Sequence, residues 1–222
     1  MPLKLWGRPT STNTQRVLWA LEEAGVAYEL TLASGTTGAT GYIWQGHVPY
    51  GVVDTPAYRA MNPNGTIPTI DDGGFVLWES NAIVAWLARR YAPGLYQDSE
   101  PIFARALQWM IWTNHSLDPA MHTLVMHLER LPPEQRSPTT VEAARQEVIR
   151  KLELVETHLG RSRFLAADDF TMGDIPPAIS MQRFVHFGLQ RPPMPRIAEW
   201  MSRLGERAGF KRHVAPRSHH LS

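Results

Sequence analysis

Residues 62–80 read NPNGTIPTIDDGGFVLWES. The runs 67–71 and 75–78 are short and apolar, as strands are, and Asp72-Gly73-Gly74 between them supplies the positive φ that a tight hairpin needs. Ser80 then caps a helix whose core face is Ile83, Val84 and Leu87. A β-hairpin followed directly by a helix is therefore the centre from which the rest of the first half is read.

Towards the N-terminus, residues 3–6 read as a buried strand, 8–12 as a polar loop and 13–24 as a helix. Val17, Leu18, Leu21 and Ala24 share one face of that helix, and Gly25 ends it. Residues 27–32 alternate as a second strand, giving a strand–helix–strand unit suited to a parallel pair with a right-handed crossover. Residues 33–53 hold five glycines, with Tyr42, Trp44 and Tyr50 interspersed. That is too long for an ordinary connection, so it is either a mobile lid or an Ω-like loop pinned by its aromatics. Asp54 reads as the cap of a short helix ending at Met61. The order as a whole resembles the thioredoxin-like fold.

After Ala92-Pro93-Gly94 the pattern changes to long helical stretches with proline breaks. The expected architecture is an α/β thioredoxin-like domain over 1–92, a linker over 93–100 and an all-α domain over 101–222. Ser137-Pro138 opens a helix on which Val141, Ala144, Val148, Leu152, Val155 and Leu159 keep helical spacing. Thr171-Met172-Gly173-Asp174 reads as a capping box, with Phe170 and Ile175 as its hydrophobic staple. Pro176 and Pro177 are expected to bend the helix that follows. Ile197, Trp200, Met201 and Leu204 mark a last amphipathic helix. The basic stretch 191–222, with His213, His219 and His220, reads as a solvated tail.

Composition narrows the function. The 222 residues carry a net charge of +1, split as −1 before residue 93 and +2 after it, so no overall field recruits nucleic acid or an anionic membrane. The chain has no cysteine, which excludes disulfides, thiolate metal sites and a thiol nucleophile of its own. The longest apolar run, 82–88, has seven residues, where a membrane span needs about 20. With no signal-like N-terminus, a cytoplasmic protein is the expectation.

Five stretches, in order and at family spacing, resemble the cytosolic glutathione transferases. They are Ser11-Thr12-Asn13 before residues 17–23, the stretch 62–70, residues 77–83, residues 170–175 and residues 200–204. The first half is most similar to the serine-type theta and delta classes and their bacterial relatives. The resemblance implies a glutathione transferase that attacks a small electrophile with bound glutathione thiolate. It also implies a homodimer, with the first domain of one subunit against the second of the other. Rivals on the same scaffold are a dehalogenase, an isomerase, a reductase or peroxidase, and a non-catalytic binding protein.

A free thiol has a pKa of about 8.5, and lowering it by about two units takes about 2.7 kcal/mol of differential stabilisation. A hydroxyl or amide at a helix N-terminus is suited to that task. By resemblance Ser11 takes the catalytic place, and Asn13 is its rival; each, like Thr12, also reads as a plain cap. The resemblance further implies a cis Ile67-Pro68 bond, the Ile67 backbone pairing with the cysteinyl segment of glutathione. It places Glu79 and Ser80 on the γ-glutamyl end. Delta-type members carry a histidine where this chain has Gly65, so one contact to the glycyl carboxylate is missing. Either the 33–53 loop folds over the site and His47 or Gln45 replaces that contact, or the loop is a solvated insertion. The electrophile site is expected between the domains, with Trp109, Trp112, Thr113, His115 and Ser116 as candidates. His115, Asp118 and His122 share a helix face, but Pro119 disturbs it, and no metal is expected.

Overall fold

The computed structural model describes residues 2–216, which separate into two compact units between Ala92 and Pro93. In the first, β1 (Leu3–Gly7) and β2 (Tyr28–Leu32) are parallel and joined through α1 (Thr12–Ala24). A two-residue ribbon follows, β3 (Thr37–Gly38) against β4 (Gly41–Tyr42), then α2 (Pro56–Met61). The hairpin is β5 (Thr69–Asp72) and β6 (Phe75–Trp78), and α3 (Ser80–Tyr91) closes the unit. Strand order is β2-β1-β5-β6, with β5 antiparallel to both neighbours. The hairpin turns on Gly73 and Gly74, both at positive φ. β5 starts two residues later than expected, because its ladder begins only after Pro68.

Side chains alternate across β1, so Leu3 and Leu5 face one way and Trp6 the other. Leu5 and Ile70 are fully buried, as are Val17, Leu18 and Leu21 of α1 and Ile83, Val84 and Leu87 of α3. On the Trp6 side, Tyr58 of α2 packs with Ala33 and Val53. The cap of α2 is Thr55, whose hydroxyl accepts from the Tyr58 N–H, and not Asp54 as the sequence reading has it. Pro56 fixes the first helical position, which shifts the cap one residue on; Asp54 pairs with Arg59 instead.

Residues 33–53 form a closed Ω-like loop. Ser34 and Gly51 exchange backbone hydrogen bonds at its neck, and the Ser34 hydroxyl accepts from the N–H groups of Thr36 and Thr37. Tyr42 is buried within it.

In the second unit, α4 (Glu100–Trp112) runs into a π turn at Thr113–Leu117, then α5 (Asp118–Val125) and a second π turn at Met126–Arg130. Pro119 lacks an N–H and crowds the preceding turn, a sufficient cause for the first widening. The long helix α6 (Pro138–His158) begins on the Ser137 cap, and its Glu147 pairs with Lys151 at 3.1 Å. α7 (Ile175–His186) follows the capping box at Thr171–Asp174, both halves of which are made. Pro176 and Pro177 lie in the first turn of α7, where N–H groups have no helical partner, so they cost no ladder bonds there.

The C-terminal stretch is not a solvated tail through its described part. α8 (Pro195–Gly205) and α9 (Ala208–His213) bury Ile197, Trp200, Leu204 and Phe210. The charges occupy the opposite faces, and composition alone does not separate an amphipathic helix from a tail. His219 and His220 lie outside the described residues. Asp174 ties this unit together: its carboxylate accepts from the N–H groups of Leu165 and Thr171, the Thr171 hydroxyl and the Trp200 indole. Burial pushes its carboxyl up, while those four donors pull it down.

Candidate functional site

Three segments converge at one end of the sheet. Trp6 pairs with Thr69, and Thr69 with Trp78. Because β5 is antiparallel to both neighbours, the chain just beyond those residues is the 8–11 loop, Ile67-Pro68 and Glu79-Ser80 respectively. These hold most of the residues the sequence singles out.

In the first segment, the Arg8 carbonyl accepts from the Ser11 N–H, making a tight turn into α1. Gly7 permits the close approach: a Cβ there would lie 2.6 Å from Thr14 Oγ1. Ser11 is the N-cap of α1, and its Oγ accepts from the Thr14 N–H at 3.4 Å. The capping role is therefore real, yet it uses only an acceptor lone pair and leaves the hydroxyl hydrogen available to donate. Thr12 and Asn13 occupy the first turn, where the N–H groups have no helical partner and favour an anion. Asn13 is exposed, and Arg8 is buried, with its guanidinium folded back onto Thr10.

The second segment carries the cis Ile67-Pro68 bond. The Ile67 amide and carbonyl lie outside the β5 ladder, which opens at Thr69. A buried network fixes them. The Tyr58 hydroxyl donates to the Thr66 carbonyl at 2.6 Å and lies 2.9 Å from Thr69 Oγ1. Asn62 Nδ2 donates to the same two oxygens at 2.9 and 3.1 Å. Burial raises the Tyr58 phenol above its ordinary value, partly offset by its bonds to Thr69 and Asn62, so it remains protonated.

In the third segment Glu79 occupies the N-cap position of α3 at φ 72°, ψ 110°. A non-glycine residue there is strained, and such strain clusters at binding sites. Ser80 is the first helical residue and not the cap; it is buried, and its hydroxyl accepts from the guanidinium of Arg16 at 3.4 Å. Arg16 also donates to Asn81 Oδ1 at 3.4 Å. This buried cation beneath a helix N-terminus strengthens the site's preference for a carboxylate. Arg16, Tyr58 and Asn62 escape the sequence reading. For Arg16 the signal is a run of buried polar residues, Thr14-Gln15-Arg16, on α1.

His47 is not placed with these segments by any bond. Its Nδ1 lies 2.8 Å from Thr40 Oγ1, within its own loop. The guanidinium of Arg59 stands beside Gly65 instead.

In the second unit, Trp109 is buried edge-on against Trp112 and His158, at 5.3 and 4.8 Å between ring centres. Thr113 is buried, and its hydroxyl donates to the Trp109 carbonyl. Both are thus engaged in packing, while His115 is exposed and Ser116 half-buried. Asp118 accepts from the Ser180 hydroxyl. Among the described residues no group of three His, Asp or Glu side chains is placed to hold a metal ion. No helix among them is long and apolar enough to cross a membrane.

Residues 10–90 match the family model of the glutathione S-transferase N-terminal domain, and 117–208 that of the C-terminal domain. Glutathione S-transferase GstB of Escherichia coli K12 is 34% identical over 215 residues, covering 96% of this chain and 97% of the relative. Glutathione S-transferase 3 of Zea mays is 32% identical over 223 residues, covering 96% and 94%. Among solved structures, the theta class glutathione S-transferase of Xanthomonas axonopodis pv. citri, with glutathione bound, is similar at a TM-score of 0.86. That match has 36% identity and covers 96% of this chain and 98% of the other. Two family models in order, full-length relatives above 30% identity and the shared fold place this chain in the glutathione S-transferase family.

Proposed function

We propose that the chain is a glutathione transferase whose bound glutathione thiolate attacks a small electrophile. Ser11, at the N-terminus of α1, is the observation that carries the reading. Its hydroxyl donates to the sulfur and favours the thiolate, and the helix dipole adds to the effect. Asn13 sits two residues on and orients the thiol from its amide. Thr12 contributes a first-turn N–H. Ile67, held before cis Pro68, pairs through its backbone with the cysteinyl segment. Ser80 takes the γ-glutamyl carboxylate, and Glu79 takes the ammonium.

In the reaction the sulfur lone pair forms the C–S bond, and the leaving group departs with the electron pair of its own bond. The thiol proton has already passed to solvent. No step requires a metal. The 1–92 domain holds glutathione, and the all-helical 101–222 domain, after the 93–100 linker, supplies contacts to the electrophile. The working form is a homodimer in the cytoplasm, with no nucleic-acid or membrane partner.

Thermal-shift titration with glutathione, paired with a conjugation assay on an activated aryl halide, tests the reading. Stabilisation and turnover are expected. No stabilisation at millimolar glutathione would contradict it.

A further inference from the structure

A cavity of about 660 Å³ lies within the second unit, between α7, α8 and the 187–194 connection that joins them. Small-ligand sites run from roughly 300 to 1,000 Å³. α7 contributes Met181 and Val185, one turn apart; α8 contributes Ala198 and Met201, in line with Met194 at its start. Spacings of three and four keep each set on one face of its helix. Met181, Met194 and Ile197 are buried, while Val185 is 38% exposed. The result is a groove with an apolar floor that opens to solvent. Its three methionines are unbranched and polarisable, so they fit themselves to varied apolar shapes.

The walls are held from α6. Arg145 Nη1 donates to the Gln190 carbonyl at 2.6 Å. The Glu156 carboxylate accepts from the N–H groups of Arg196 and Ile197 at 3.0 and 2.8 Å, which seats the first turn of α8. Gly188, at φ 65°, ends α7 with its N–H on the Val185 carbonyl. Pro192, Pro193 and Pro195 each fix φ in the stretch between. A groove built this way needs little ordering when a ligand enters.

Charge selects the ligand. Arg191 lines the cavity in the connection, where the two helices meet, and no Asp or Glu lines it among the described residues. Arg191 is exposed, and its guanidinium makes no hydrogen bond or ion pair among those residues. One cation at the end of an apolar groove matches a molecule with one anionic end and one apolar chain. An alkylammonium of the same length meets the wrong sign.

We propose that the groove between α7 and α8 binds a linear alkyl carboxylate, its chain along Met181, Val185 and Met201 and its carboxylate at Arg191. None of the lining residues belongs to the three segments that hold glutathione, so the proposal stands apart from that reading.

Methionine-methyl NMR of the full chain, titrated with decanoate and with decylammonium, tests it. Decanoate is expected to shift the methyls of Met181, Met194 and Met201. In wild type decanoate is expected to bind about three- to fivefold more tightly than decylammonium, the scale of one exposed ion pair. In Arg191→Glu that order is expected to reverse, with the three methyls still the ones that move. Val185→Asp, which sets a charge at the mouth of the groove, is expected to lose both ligands while its melting temperature stays near that of wild type. Shifts at other methionines without these three would overturn the proposal. So would no shift at millimolar decanoate, or the same preference for decanoate in wild type and Arg191→Glu.

Discussion

The guanidinium of Arg16, buried in α1, donates to the hydroxyl of Ser80 at the start of α3, 64 positions away. This contact joins the helix that carries Ser11 to the one that carries the second serine of the site. Arg16→Lys keeps the charge but loses the Nη1 bonds to Ser80 and Asn81. A loss of about 1.5–3 kcal/mol in glutathione binding is expected, the range for hydrogen bonds to charged groups. Calorimetry checks it, with the far-ultraviolet circular dichroism unchanged.

Tyr58→Phe removes the hydroxyl that donates to the Thr66 carbonyl and meets Thr69. Stability is expected to fall by about 1 kcal/mol or somewhat more in urea unfolding. The KM for glutathione is expected to rise more than kcat falls, because the strand that binds the tripeptide loosens while Ser11 stays in place.

Gly7→Ala forces a methyl group to within 2.6 Å of Thr14 Oγ1. Relief requires the first turn of α1 to move away from the end of β1, at a cost of about 1–3 kcal/mol. Both the melting temperature and glutathione affinity are expected to drop. In the double variant Gly7→Ala, Thr14→Ser, which removes the methyl but keeps the hydroxyl, part of the loss is expected to return.

Asp174→Asn replaces a carboxylate that accepts from four donors. The amide presents its NH₂ to one pair of those donors and leaves them unpaired in a buried site. A destabilisation of about 1–3 kcal/mol or more is expected. Denaturant unfolding checks it, and the loss is expected with or without glutathione, because the four donors to Asp174 all belong to the second unit.

Much of this was legible because the signals are local. Gly73-Gly74 announced the hairpin, and the Thr171–Asp174 spacing announced a box that the structure makes in full. Ser11, Ile67 and Glu79-Ser80 stood out through motifs. The parts that escaped depend on long-range partners. Arg16 meets Ser80 only once α1 and α3 pack together, and Arg59 meets Gly65 only after α2 turns back on the 62–66 segment. The helices of 195–213 carry their apolar residues at a spacing that basic composition hides. His47 stands in a loop of unusual length, and its partner is Thr40 of the same loop.

The central claim is that this chain holds glutathione and ionises its thiol from the N-terminus of α1. The most direct test is a pH titration of the ultraviolet thiolate band of bound glutathione in wild type, Ser11→Ala and Asn13→Ala. In wild type the thiol is expected to titrate about two units below the free value of about 8.5. In Ser11→Ala it is expected to return most of the way, with Asn13→Ala moving it less. A thiol that titrates near its free value in wild type, or identically in wild type and Ser11→Ala, would contradict the account.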